Sequence, residues 1–404
     1  MLCSYSQLFI AKSKEIQQLC RILLQLYRCS DERVRASFCL DGSTLIITLL
    51  EVIEINYRLG KKGDTKCLVL AQNVVDKLIN LARAPLALVK SHNSLLSTLI
   101  SYINGATGKI AMYHSMKCIA SLSEHTQNKQ ALLTFPNLME SVELGARHMY
   151  EAVRQESARI MFNLAMETKN KARLAKRNKQ CWMDVVLALT TEKESSIESK
   201  AYAINTLGHL ATETENKIIM VQHKNGFIVN VLLQIARHID LESSSIETLG
   251  FQVSVNAAKI IGNLTCRATA SRVGNHPGLL ATLSSLACRN DKLAVMAAMT
   301  VKKLATHIRS QDPCHPHLLR ALVTMTYGKA TEVLKWTVKA YAEQASFPHD
   351  RVEMIAHKGL LPALTMLTDD NNNTVRGYAH DVLGVLAGKK MTNAIFHYYF
   401  HAPY

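Results

Sequence analysis

"IMFNLAMETKNK", residues 160–171, sets the cadence from which the fold can be read. An apolar helical run closes on Asn163-Leu164-Ala165, and Asn170-Lys171 follows six residues after the leucine. The same cadence recurs along the chain. With Leu164 as a ruler, comparable residues fall at Leu26, Leu81, Leu122, Leu210, Leu264, Leu304 and Leu386, with Tyr341 in the corresponding place. Successive separations are 55, 41, 42, 46, 54, 40, 37 and 45. Most sit in or near the ~40–47-residue period of stacked helical units. The two long separations predict loop insertions, near "YRLGKKGDTK" (57–66) and the Ser-rich, acidic "RHIDLESSSIETLG" (237–250).

Columns aligned on the ruler test the repeat more strictly than its spacing. Three residues before it stand Leu23, Leu78, Ile119, Met161, Leu207, Ile261, Val301, Val338 and Leu383, all apolar. Seven before stand Leu19, Val74, Ser115, Ser157, Ala203, Ala257, Ala297, Leu334 and Ala379, all apolar or small. Positions 0, −3 and −7 share one face of a helix, so this face packs inward, and small residues at −7 allow close approach of a neighbour. Asn128, Asn170 and Asn216 each stand six residues after a ruler and before a lysine. The expected role is an N-cap, the side-chain oxygen accepting from a free backbone N–H of the next helix.

Composition agrees with a helical protein. Apolar residues make up 48% and charged residues 20% of the 404, with only 8 Pro and 17 Gly, so turn punctuation is sparse and a large core is available. The ten cysteines form no Cys-x-x-Cys and no zinc or disulfide pattern, which fits reduced, packed thiols. The first residues lack the basic start and apolar core of a secretion signal, and no run approaches the ~18 apolar residues of a membrane span. A cytoplasmic or nuclear protein is expected.

These features resemble the armadillo repeat family. The segments that carry the resemblance are "VVDKLINLA" (74–82), "SARIMFNLAMETKNK" (157–171), "AINTLGHLATETENK" (203–217), "NAAKIIGNLT" (256–265) and "YAHDVLGVLAG" (378–388). "KNGFIVNVLLQIA" (224–236) and "HKGLLPALTMLTDD" (357–370) resemble the Gly turn and the helix after it. The resemblance implies an all-α, right-handed superhelical solenoid of about nine degenerate repeats, forming one domain over residues 1–404. Its first repeat would be truncated, and residues 391–404 would form a terminal cap or tail. A HEAT-like α-solenoid is the alternative, but the turns at Gly226 and Gly359 favour armadillo.

In that family the third helix of each unit lines a concave groove, and the groove positions are taken here as −5 and −1. The −5 column includes Arg21, Lys117, Arg159, Asn205 and Lys259; the −1 column includes Asn80, Asn163, His209, Asn263 and Lys303. Between Lys117 and Asn263 neither column holds a carboxylate. Amides in a row suit the backbone of an extended peptide, and cations suit carboxylates or phosphates. An ordinary solvated face is the plain alternative. The reading favoured is a non-catalytic scaffold or adaptor holding an extended acidic or phosphorylated protein segment. Import adaptors pair a Trp with an Asn four residues later. Here Asn80, Asn163 and Asn263 follow Asp76, Arg159 and Lys259 instead, so nuclear-transport activity is a weaker alternative.

Net charge is +15, which favours encounter with polyanions. Its densest source is "KNKARLAKRNK" (169–179), holding Lys169, Lys171, Arg173, Lys176, Arg177 and Lys179. A solvated helix edge is the first reading of that run; nucleic acid or anionic lipid is the alternative, without aromatic residues to stack bases. "DPCHPH" (312–317) reads as a Pro-bounded loop rather than a metal site, and His397 and His401 alone do not make one. No nucleotide-binding loop, nucleophile elbow or zinc-protease motif is present, so neither an enzyme nor a cofactor or small-molecule substrate is expected.

Overall fold

A computed structural model describes residues 18, 21, 93–104, 109–177, 181–237, 249–289 and 291–388. Leu26 and Leu81, the insertion at 57–66, most of that at 237–250, the tail 391–404, Asn80 and Lys179 lie outside them. Every regular element among the described residues is helical. By contact the chain divides into two compact units, Met1–Thr206 and Leu207–Tyr404.

In the first unit the described helices are α1 (Asn93–Asn104), α2 (Lys109–Glu124), α3 (Thr126–Thr134), α4 (Leu138–Ala146), α5 (Glu151–Ala165), α6 (Thr168–Lys176), α7 (Cys181–Thr191) and α8 (Ile197–Leu210), whose last residues belong to the second unit. The second continues with α9 (Thr214–Gln222), a 3-10 turn (His223–Gly226), α10 (Phe227–Arg237), α11 (Leu249–Leu264), α12 (Ala270–Gly274), α13 (Leu279–Ala287) and α14 (Lys292–His307). Then follow α15 (His315–Thr326), α16 (Thr331–Ala345), α17 (Pro348–Ala356), α18 (Leu360–Leu367) and α19 (Asn373–Leu386). Two short helices and one long one repeat, and every described ruler residue stands at or near the end of a long helix. The unit between α14 and α15 replaces the first helix with a turn closed by Arg309 N–H donating to Asp312 Oδ2 at 2.9 Å.

The seam that joins the units is the predicted face. Leu122, Leu164, Leu210, Leu264, Leu304 and Tyr341 are buried, as are Ile119, Met161, Leu207, Ile261, Val301 and Val338 three residues before them. Burying one such leucine stabilises the fold by roughly 2 kcal/mol, so the repetition of the face, rather than any one contact, supplies most of the stability. Small residues at −7 do what their size suggests: Ser115, Ser157, Ala257, Ala297 and Ala379 have no exposed surface. α2 packs on α5, α11 on α14, α14 on α16, and α16 on α19.

The turn into the second helix of a unit needs a left-handed residue, which glycine adopts without steric cost. Gly226 and Gly359 both stand there at φ 91°. Asn137 fills the same place before α4 at φ 59°, a tolerated substitute that carries no glycine signal in the sequence.

The recurring asparagine does the reverse of what its sequence position suggested. Asn128, Asn170 and Asn216 are buried and donate their side-chain N–H to the carbonyls of Leu122 (3.0 Å), Leu164 (3.2 Å) and Leu210 (3.2 Å). Each therefore satisfies an otherwise open carbonyl at the end of the long helix, while the N-cap positions belong to His125, Glu167 and Glu213. Asn170 also donates to Lys129 O at 3.0 Å, joining its unit to the one before. "DPCHPH" is likewise not a plain loop. Pro316 sits in the first turn of α15, where its missing N–H costs nothing, and His315 is buried against Gln344 at 2.7 Å.

Candidate functional site: the outward face of the long helices

At about 100° per residue, −5 lies about 165° from the centre of the seam formed by 0, −3 and −7, while −2 and −1 lie about 130° away on its two opposite flanks. The structure treats those flanks differently. Lys117, Arg159, Asn205, Met299, Trp336 and Asp381 in the −5 column are partly exposed and Lys259 is exposed. In the −1 column Ser121, Asn163, Ala340 and Val385 are buried, and only His209, Asn263 and Lys303 reach the surface. Reading −1 as outward therefore fails for four of its seven described members, while the −2 column adds Lys302 and Lys339 at the surface. Arg21 is exposed in a helical position, apart from the described helices.

In residues 1–206 the expected cations and amides are largely occupied. Asn163 donates to Ser123 Oγ at 2.9 Å and Ala120 O at 3.3 Å, so it holds α2 to α5. Arg159 is paired with Glu124, at the end of α2, and with Glu156 at 3.1 Å, one turn back on its own helix. Burial opposes its charge, but the Glu124 hydrogen bond and the two carboxylates more than offset this and raise its pKa. Lys117 leans over the Tyr113 ring, 5.8 Å from its centroid. Phe162 and Tyr202 meet at a tilt of 44° with 5.7 Å between centroids, and Asn205 is partly exposed.

The basic run is broken up in a similar way. Lys171 is buried, and Arg177 folds back on α4, 2.6 Å from Glu140 and 3.4 Å from Glu143. Lys169, Arg173 and Lys176 remain exposed.

Residues 207–404 present a different surface. Lys303 reaches from α14 to Asn263 Oδ1 on α11, at 3.1 Å. Burial lowers its pKa first, and the charges of Lys217, Lys259 and Lys302 lower it further, with no carboxylate opposing them. Lys302 is paired with Glu343 at 3.1 Å. Lys339 stands over the Trp336 ring, 4.8 Å from its centroid. Its pKa is lowered by burial and by Lys302 and Lys335, against partial compensation from Glu332. Crowded lysines raise one another's electrostatic energy, and an arriving anion relieves it. Three of these groups, Lys217, Lys302 and Lys339, escaped the sequence columns. The signal available was the −2 position for Lys302 and Lys339, and the Asn-Lys pair for Lys217.

Among the described residues no group of three His, Cys, Asp or Glu side chains is placed to hold a metal ion. None of their helices is long and apolar enough to cross a membrane.

No family model matches the chain, and no curated protein matches it. The solved structures do provide likenesses. The chain is similar to an engineered protein solved by the Northeast Structural Genomics Consortium, at 16% identity, with 93% of this chain and 100% of that one covered and a TM-score of 0.55. It is also similar to a designed armadillo repeat protein, at 16% identity over 72% of this chain and 99% of that one, TM-score 0.39. A computationally designed armadillo repeat protein for modular peptide recognition gives 15% identity over 72% and 99%, TM-score 0.41. At these identities the first likeness speaks to fold alone. Together with the repeating three-helix unit and its left-handed turn, the chain has an armadillo-like helical repeat fold, an all-α solenoid.

Proposed function

We propose that this chain is a non-catalytic protein-interaction scaffold, its repeats forming one domain, that holds an extended acidic or phosphorylated protein segment. The segment lies against Lys259, Lys303 and Lys339, with Lys217 alongside, and Asn263 offers its amide to the segment's backbone. The observation that supports this most is the Lys303 environment: a half-buried ammonium hydrogen-bonded to Asn263 and surrounded by three further lysines. Arg159 and Asn163 contribute through packing instead, because their groups are already paired. A basic import signal would meet like charge on this face, which opposes a transport-adaptor role. A cytoplasmic or nuclear site of action belongs to the same proposal.

Fluorescence anisotropy with labelled oligoglutamate and with a multiply phosphorylated peptide tests it on the full chain. Lys259→Glu together with Lys303→Glu should weaken both by about tenfold or more at moderate salt, since two favourable charges become repulsive at contact distance. Unchanged affinity would remove the lysine face from the account. Exposed Lys169, Arg173 and Lys176 support a second reading, general binding of nucleic acid or anionic lipid. It predicts tight binding of duplex DNA or phosphatidylserine vesicles with a steep logarithmic loss as salt rises, whereas a segment held partly by amides falls more gently.

A further inference from the structure

The lysine face of residues 207–404 contains an apolar step. Along the −5 column, Lys259 on α11 gives way to Met299 on α14 and Trp336 on α16, and one turn earlier on α14 stands Met296. All three are partly exposed, although the apolar residues at −3 on the same helices, Ile261, Val301 and Val338, are buried. Packing of the seam therefore does not consume them. α14, which carries Met296, Met299 and Lys303, packs directly on α11 with Lys259 and on α16 with Trp336 and Lys339, so the apolar step and the lysines share three adjoining helices. Methionine adapts its shape to what it contacts, and tryptophan buries a large rigid face with its N–H still able to donate. Such residues, ringed by charge, are what protein interfaces use as central anchors.

We propose that the bound segment carries a large apolar or aromatic side chain flanked by its acidic groups, seated on Met296, Met299 and Trp336. This rests on the acidic-segment reading above and makes it specific: charge on Lys259, Lys303 and Lys339 draws and orients the segment, and the apolar step selects among acidic sequences. A protein segment fits better than RNA. Platforms for single-stranded bases offer successive aromatic rings, while here a single ring, with Lys339 already over it, stands on a helix packed against the one that carries the two thioethers.

The test compares, on the full chain, oligoglutamate with the same peptide bearing one central Phe. The Phe peptide is expected to bind about tenfold tighter, the gain from burying one aromatic side chain. The chain has two tryptophans and Trp182 is fully buried, so acrylamide quenching of intrinsic fluorescence reports on Trp336, which the Phe peptide should shield. In Trp336→Ala and in Met299→Ala the ratio of the two affinities should fall toward one. Lys259→Glu with Lys303→Glu should weaken both peptides and leave their ratio in place. Equal affinity of the two peptides for the wild-type chain, or a ratio untouched by Trp336→Ala, overturns the apolar step while sparing the acidic-segment reading. Failure of both peptides to bind sinks both. Shielding of Trp336 by oligouridylate but not by the Phe peptide would reassign the step to nucleic acid.

Discussion

Asn170→Ala removes the amide that closes the end of α5 and ties it to the preceding unit. The side chain is 1% exposed and donates at 3.0 Å to Lys129 O and at 3.2 Å to Leu164 O. Two buried carbonyls each lose a donor, and a small void opens, so the expected cost is about 2–4 kcal/mol. In a cooperative unit of ~200 residues that corresponds to a midpoint lower by roughly 5–12 °C. Asn170→Asp is more severe, since a carboxylate would face the same two oxygens. Its folded-state pKa would lie above the unfolded value of about 3.9. Between the two values the folded state holds a proton that the unfolded state has released, so stability falls as pH rises through that window. Thermal melts followed by circular dichroism, with exposed Gln130→Ala as control, measure both effects. A melt of Asn170→Ala within about 1 °C of wild type, or an Asp variant as stable as wild type at neutral pH, would refute the carbonyl-closing role.

Gly359→Ala should cost roughly 1–2 kcal/mol from the left-handed backbone alone, because the nearest atom to an added Cβ, Val323 Cγ1, is 3.8 Å away; a urea midpoint equal to wild type would show the turn is not strained. Gln344→Leu loses the hydrogen bonds to Ala305 O (2.6 Å), Ile308 O (2.9 Å) and His315 Nε2 (2.7 Å). Arg309 still donates to both carbonyls, so the expected loss is about 2 kcal/mol, with faster amide exchange around 305–315 as the local readout. Among Cys118, Cys266, Cys288 and Cys314, native-state alkylation read by mass spectrometry should reach Cys288 and Cys266 and spare the buried pair. Burial pushes the Cys314 thiol up to about 11, so it should stay unmodified at pH 8 until the chain is denatured.

The seam was legible in the sequence because burial repeats at fixed offsets: Leu164, Met161 and Ser157 recur as Leu304, Val301 and Ala297, and all six are buried. Gly226 and Gly359 were legible for a similar reason, since their turn demands a backbone few other residues accept. Outward chemistry was read less well. Position −1 lies on a flank of the seam that a neighbouring helix covers, as the burial of Asn163 and Val385 shows, and the angle alone does not reveal which flank is covered. The absence of acids between Lys117 and Asn263 in two columns said nothing of Glu124 and Glu156, which reach Arg159 from other columns and another helix. Asn170 stands at the predicted junction but donates where the sequence suggests an acceptor, because an amide carries donor and acceptor together and the sequence does not say which one faces the open carbonyl.

The central claim is that Lys259, Lys303 and Lys339 on residues 207–404, rather than the carboxylate-paired Arg159 on residues 1–206, grip an acidic segment. Calorimetric titration of oligoglutamate into wild type, Lys303→Glu and Arg159→Glu chains compares them most directly. The account predicts a severalfold to tenfold loss for Lys303→Glu and less than about a threefold change for Arg159→Glu, both with folded chains by circular dichroism. Equal losses in the two variants, or a larger loss at Arg159, would contradict it.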